Sequence, residues 1–171
     1  MITVRLPQQE EKRLDEIIKK YENRQGKVLG IMEEAQKTNR FNYLSEDVLN
    51  YISMKIKVPL NNLYSVATFY SFFNLKPQGD HTIVVCRGTA CHTKGSKALL
   101  DDLGVMMGSK ADLDSGEPTF TTPDNKFTVR TVACFGQCAQ APVVSIDNVI
   151  HSNVTTTQMR KLVSKISKGR K

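Results

Sequence analysis

The 171-residue chain carries 24 Lys and Arg against 17 Asp and Glu, for a net charge of +7, with 40% apolar and 7% aromatic residues. That length buries an ordinary core without covalent staples, and no apolar run approaches the ~20 residues needed to span a bilayer, so a soluble protein without membrane insertion is expected. The basic excess permits nucleic-acid binding. However, the aromatic residues sit in apolar clusters rather than among Lys and Arg, and no binding motif supports that class, so nucleic acid is not expected as a partner. Lys161, Lys165, Lys168, Arg170 and Lys171 supply much of the excess and read as a solvated helix end.

The first residues, Met1 to Arg5, lack a basic stretch followed by an apolar one, and Glu10, Glu11 and Asp15 argue against a transit peptide. A cytoplasmic, reducing setting is expected. Apolar residues then recur at helical spacing: Leu14, Ile17, Ile18 and Tyr21, and, beyond Gly26, Val28, Met32 and Ala35. Ser45 is an N-cap candidate for a third helix. Glu46 and Asp47 suit its first turn, Leu44 and Leu49 have the spacing of a hydrophobic staple, and Leu49, Ile52 and Ile56 form a core stripe ending before Pro59. The segment from Leu63 to Phe73 carries apolar groups on most faces, as in an element enclosed by neighbours or a partner, with core packing the default for its aromatics.

At Lys76 to Asp80 the pattern changes to a turn-rich stretch before the β-branched run Thr82 to Val85. A boundary is expected there, with a helical, partner-docking domain over 1–78 and a mixed-sheet domain over 79–171. In the second part a helix is expected from Lys97 to Leu103, stopped by Gly104. Strands are expected at Phe120 to Thr122 and Phe127 to Val132 around the turn Pro123-Asp124-Asn125, and at Val143 to Ile146 and Val149 to His151 around Asp147-Asn148. A last helix starting near Thr155 to Thr157 would bury Met159, Leu162, Val163 and Ile166. The fold class is therefore α+β, a helical bundle followed by a mixed sheet with flanking helices. The path from Val105 to Pro118 is not defined by its pattern.

All four cysteines fall in two pairs, Cys86 with Cys91 and Cys134 with Cys138, and each pair lies just after a predicted strand. In a reducing compartment such thiols are metal ligands or redox groups more often than disulfides. A [2Fe-2S] cluster needs two terminal thiolates on each of two irons, which two loops of two cysteines supply. Zinc also accepts four thiolates, so a structural Zn(Cys)4 interaction module is the alternative, although zinc knuckles favour closer spacing. A thioredoxin-type thiol-redox protein is disfavoured because no C-x-x-C is present. Gly88 and Gly136 can let backbone approach the sulfurs or can serve tight turns, and Arg87 is the nearest cation in sequence. His92 follows Cys91, but a histidine ligand is unnecessary beside four thiols. His81 and His151 lie at strand ends, and no Ser-His-Asp set, H-E-x-x-H helix or Gly-x-Gly-x-x-Gly nucleotide fingerprint occurs, nor does Gly95-Ser96-Lys97 make a phosphate loop.

Cys86-Arg87-Gly88-Thr89-Ala90-Cys91, followed by Cys134-Phe135-Gly136-Gln137-Cys138-Ala139-Gln140-Ala141-Pro142-Val143-Val144, resembles the thioredoxin-like [2Fe-2S] ferredoxins. More narrowly it resembles the 24 kDa iron-sulfur subunit family of NADH:quinone oxidoreductase, as do the segments Thr121 to Thr128 and Tyr64 to Phe73. The resemblance implies a thioredoxin-like second domain and makes Cys86, Cys91, Cys134 and Cys138 the cluster ligands. It directs attention to a cis peptide at Ala141-Pro142. It also implies an electron-transfer subunit of an NAD(P)H-linked oxidoreductase, respiratory or in a hydrogenase or formate dehydrogenase. The expected partners are a flavoprotein carrying FMN and binding NAD(P), and a further iron-sulfur or catalytic subunit. The isolated chain is then not expected to be catalytic. The stretch Lys110 to Gly116 departs from compact relatives.

Overall fold

The structure is a computed structural model and describes residues 6–108 and 119–168. The stretch Lys110 to Gly116 and the tail residues Arg170 and Lys171 lie outside the described residues. The chain divides into two compact units, Met1–Pro77 and Gln78–Lys171.

The first unit is built from α1 (Gln8–Tyr21), α2 (Lys27–Thr38), α3 (Glu46–Ile56) and α4 (Leu60–Phe69). Its core gathers Leu14 and Ile17 of α1, Ile31, Met32 and Ala35 of α2, Leu49 and Ile52 of α3, and Leu63 and Ala67 of α4. Each fully buried Leu or Ile contributes about 1.5–3 kcal/mol relative to exposure, so these residues set how the helices pack. Local signals place the helix ends. Gly26, at φ 70°, precedes α2 in a left-handed conformation that costs glycine little. The Ser45 hydroxyl accepts the Val48 N–H at 3.3 Å, capping α3 as its sequence suggests. Asp15 joins α1 to α3, accepting from the Tyr51 hydroxyl at 3.0 Å and pairing with Lys55 at 2.9 Å.

Two expectations for this unit fail in part. The segment from Leu63 to Phe73 is not one helix enclosed by neighbours within this chain, because α4 ends at Phe69. Leu63, Ala67 and Phe73 are buried, but Phe69 is 79% exposed, and Tyr70 and Phe72 are also exposed. Core packing therefore accounts for Phe73 alone among those four aromatics. The backbone beyond α4 is held instead by a buried amide. The Gln36 side chain donates to the Phe72 carbonyl at 3.1 Å and accepts the Asn74 N–H at 2.7 Å, and the Asn74 amide donates to the Asn42 carbonyl at 2.9 Å.

The second unit contains β1 (His81–Cys86), α5 (Thr89–Thr93), α6 (Ser96–Met106), β2 (Phe120–Thr121), β3 (Phe127–Val132), β4 (Val144–Ile146), β5 (Val149–His151) and α7 (Thr156–Lys168). The sheet order is β2-β3-β1-β4-β5. Only the central pair β1 and β3 runs parallel, in the register His81 to Phe127 through Cys86 to Val132, and the other neighbours are antiparallel. Ile83, Val85, Val129, Val144 and Ile146 pack with Leu99, Leu100 and Leu103 of α6 and with Met159 and Val163 of α7. Asp147 and Asn148, at φ 47° and 67°, make the tight β4–β5 turn that short polar side chains tolerate.

The helix over Ser96–Met106 runs through Gly104 rather than stopping there, since Gly104 is buried among the residues of α6 and packing outweighs its poor helix propensity. The one-turn helix α5 has no apolar periodicity that would announce it in the sequence.

Candidate metal centre

Parallel pairing of neighbouring strands puts their C-terminal ends at the same edge of the sheet, and both cysteine loops leave from that edge. Cys86 is the last residue of β1, opposite Val132, the last residue of β3, and Cys134 lies two residues beyond Val132. The Arg87 N–H donates to the Val132 carbonyl at 2.8 Å and the Cys86 N–H to the Val143 carbonyl at 3.2 Å, so the start of the first loop is bonded to β3 on one side and to the residue preceding β4 on the other. Cys91 is raised on α5, which the bond from the His92 N–H to the Gly88 carbonyl closes at 2.9 Å. Cys138 opens a 3₁₀ turn, Cys138–Gln140. That turn is fastened to the segment before α7 by the Ser152 hydroxyl on the Gln140 side chain at 2.6 Å and the Asn153 N–H on the Gln140 carbonyl at 2.9 Å.

The four thiols stand within one another's influence but in different surroundings. Cys86 and Cys91 are 1% and 2% exposed and pack with Ala141 and Val143, with Ala90, Val132 and Phe135 alongside. Cys134 and Cys138 are exposed, with their Sγ atoms 3.8 Å apart. Burial opposes ionisation of the Cys86 thiol, but the backbone N–H groups of Gly88 and Phe135, with the thiols of Cys91 and Cys134, bring it below the ordinary thiol value. Burial pushes the Cys91 thiol up, and the neighbouring Cys86 and Cys138 add to that against a backbone bond from Val143. Cys138 is raised chiefly by Cys134. The Gly136 N–H donates to Cys134 Sγ at 3.2 Å. Four thiols in two pairs, with N–H groups aimed at Cys86, Cys91 and Cys134, form a donor set suited to thiolate ligation of iron. Among the described residues no three His, Cys, Asp or Glu side chains are gathered as for one metal ion.

The remaining residues singled out from the sequence are divided by the structure. Gly88, at φ −57° and ψ 151°, is a close-approach glycine: a Cβ there would meet the Ala133 carbonyl oxygen at 3.1 Å and Cys134 Sγ at 3.4 Å. Gly136, at φ 79° with nothing within 4 Å of a Cβ, serves the turn and donates its N–H. His92 is exposed, and His81, at the start of β1, is half-buried and shares a hydrogen bond with Asp147 at 2.7 Å. The Ala141-Pro142 bond is cis. Sequence reading missed the 3₁₀ turn and its fastening through Gln140 and Ser152, which are visible only as isolated polar residues in the chain.

The family model of the thioredoxin-like [2Fe-2S] ferredoxins matches residues 14–167. This chain belongs to that family. The family implies a [2Fe-2S] cluster as cofactor, and the donor set above fits it. Over 159 residues the chain is 32% identical to the NADP-reducing hydrogenase subunit HndA of Solidesulfovibrio fructosivorans, covering 93% of this chain and 88% of the relative. Over 155 residues it is 35% identical to a subunit of the NADH-quinone oxidoreductase of Rickettsia felis, covering 90% of this chain and 88% of that relative. Among solved structures, the NAD+-reducing [NiFe]-hydrogenase in its air-oxidized state superposes with a TM-score of 0.65 at 22% identity. The match covers 84% of this chain but 23% of the hydrogenase chain, and it shows the thioredoxin-like fold. The relatives are thus subunits of oxidoreductases. Among the described residues no helix is long and apolar enough to cross a membrane.

Proposed function

We propose that Cys86, Cys91, Cys134 and Cys138 hold one [2Fe-2S] cluster, and that the chain is an electron-transfer subunit of a cytoplasmic, NAD(P)H-linked oxidoreductase, respiratory or in a hydrogenase. The observation that carries this reading is the arrival of both cysteine pairs at one edge of the sheet, from the parallel neighbours β1 and β3. A bound cluster there supplies one-electron exchange with the FMN of a nicotinamide-binding flavoprotein. The chain's own part is positional. The buried Cys86 and Cys91 anchor one side in packed backbone, the exposed Cys134 and Cys138 present the other side to a partner, and N–H groups of Gly88, Phe135 and Gly136 favour sulfur in its anionic form.

The helical unit is the proposed docking element for the flavoprotein, supported by the exposed Phe69, Tyr70 and Phe72. Further iron-sulfur or catalytic subunits complete the complex. Anaerobically purified full-length chain should bleach with dithionite and not with NADH alone, and should bleach with NADH once the flavoprotein subunit is added. Bleaching by NADH in the absence of flavoprotein would contradict this division of labour.

A further inference from the structure

The geometry points to Gly88 as a positioning residue that sets the separation of the two cysteine pairs, an inference that rests on the ligand reading proposed above. Its backbone, φ −57° and ψ 151°, is open to any residue, so conformation does not demand glycine. Space does. The missing side chain leaves room for the second loop, whose Ala133 carbonyl oxygen and Cys134 Sγ stand 3.1 and 3.4 Å from the position a Cβ would take. Gly136 shows the opposite case, a left-handed φ of 79° with open space around it.

Gly88 also touches the rest of the site through its backbone. Its N–H donates to Cys86, and its carbonyl accepts from His92 to close the turn that carries Cys91. One residue therefore refers three of the four thiols to one another. The strands cannot absorb an added methyl, because the β1–β3 ladder fixes Cys86 opposite Val132 and the Arg87 N–H bonds the Val132 carbonyl at 2.8 Å. Displacement falls on the Ala133 peptide and on Cys134, which lie on an exposed loop. A site held to within about 0.5 Å by its supports feels a shift of that kind.

The test compares full-length wild type, Gly88→Ala and the double variant Gly88→Ala/Ala133→Gly, each purified anaerobically. Readouts are iron and sulfide content, visible circular dichroism, midpoint potential and the rate of cluster loss to a chelator. Wild type lacking iron and sulfide would remove the ligand reading itself, independently of Gly88. With wild type loaded, Gly88→Ala should keep its far-ultraviolet dichroism but show altered visible dichroism, a shifted potential and cluster loss on the order of ten-fold faster. The double variant, whose peptide at position 133 can turn its carbonyl aside, should recover much of the wild-type rate. Identical spectra, potential and loss rate in wild type and Gly88→Ala would overturn the inference. So would a double variant that is unfolded or as labile as the single one, because Gly88 would then serve the fold and not the spacing of the loops.

Discussion

Cys134 and Cys138 hold their Sγ atoms 3.8 Å apart on an exposed loop, whereas Cys86 and Cys91, facing them from the end of β1 and from α5, are almost fully buried. The four thiols therefore differ in accessibility before any metal is considered. In reduced, cluster-free protein a water-soluble thiol reagent should modify Cys134 and Cys138 rapidly and Cys86 and Cys91 slowly, as peptide mapping of a time course would show. Equal rates at all four positions would contradict the asymmetry.

The buried amide of Gln36 bonds both the Phe72 carbonyl and the Asn74 N–H, holding the chain just beyond α4 where Phe69, Tyr70 and Phe72 are exposed. Gln36→Leu leaves those two backbone groups without their partner. It should destabilise the protein by about 1–3 kcal/mol, read as a lower urea midpoint, with no change in iron content because the four cysteines proposed as ligands lie in the other unit.

Gly79 and Gly30 are each crowded, but by different neighbours. A Cβ at Gly79 would stand 2.6 Å from the Phe127 backbone, whereas one at Gly30 would meet a side chain, the half-buried Tyr21 ring, at 2.4 Å. Gly79→Ala should cost about 1–3 kcal/mol by displacing strand backbone. In Gly30→Ala the better helix propensity of alanine offsets the ring movement. Thermal melts should rank Gly79→Ala well below Gly30→Ala, and the reverse order would contradict the assignment.

The Asp102 carboxylate accepts from Arg160 through Nε at 2.8 Å and through Nη2, joining α6 to α7, and this contact holds its carboxyl below the usual carboxylate range. Because the folded value is lowered, the contribution is fully present above the unfolded value of about 3.9. It is lost as pH falls through the folded value. The melting temperature of Asp102→Asn should lie below that of wild type at pH 7, with the gap closing once pH drops below about 4. A gap of constant size into acid would contradict the ion-pair account.

Exposed aromatics on the helical unit carry the docking proposal. Phe69→Ser with Phe72→Ser in the full chain should leave iron content unchanged and abolish co-purification with the flavoprotein, at a stability cost limited to the edge contact of Phe72 on Phe73, about 0.5–1.5 kcal/mol. Retained co-purification would place the contact elsewhere.

Where a local signal coincides with a packing demand, the sequence is read directly. Ser45 caps α3, Phe127 to Val132 form β3, and Asp147-Asn148 turn between β4 and β5, because in each case side-chain chemistry and periodicity point the same way. The cysteine loops are legible for a related reason, since each follows a β-branched strand. That those strands are parallel neighbours, and so bring both loops to one edge, is a long-range property that no local pattern encodes. Gly104 misleads because a helix breaker by propensity is carried through by packing on the sheet. Phe69 and Phe72 mislead because apolar composition does not distinguish a residue facing its own core from one left exposed.

The most direct test is metal and sulfide analysis of anaerobically purified full-length protein, joined to electron paramagnetic resonance of the dithionite-reduced sample and of Ser variants at Cys86, Cys91, Cys134 and Cys138. The account predicts about two irons and two sulfides per chain, with a paramagnetic signal that is altered or lost in every variant. Colourless protein holding a single zinc, or a wild-type signal surviving in any of the four variants, would contradict it.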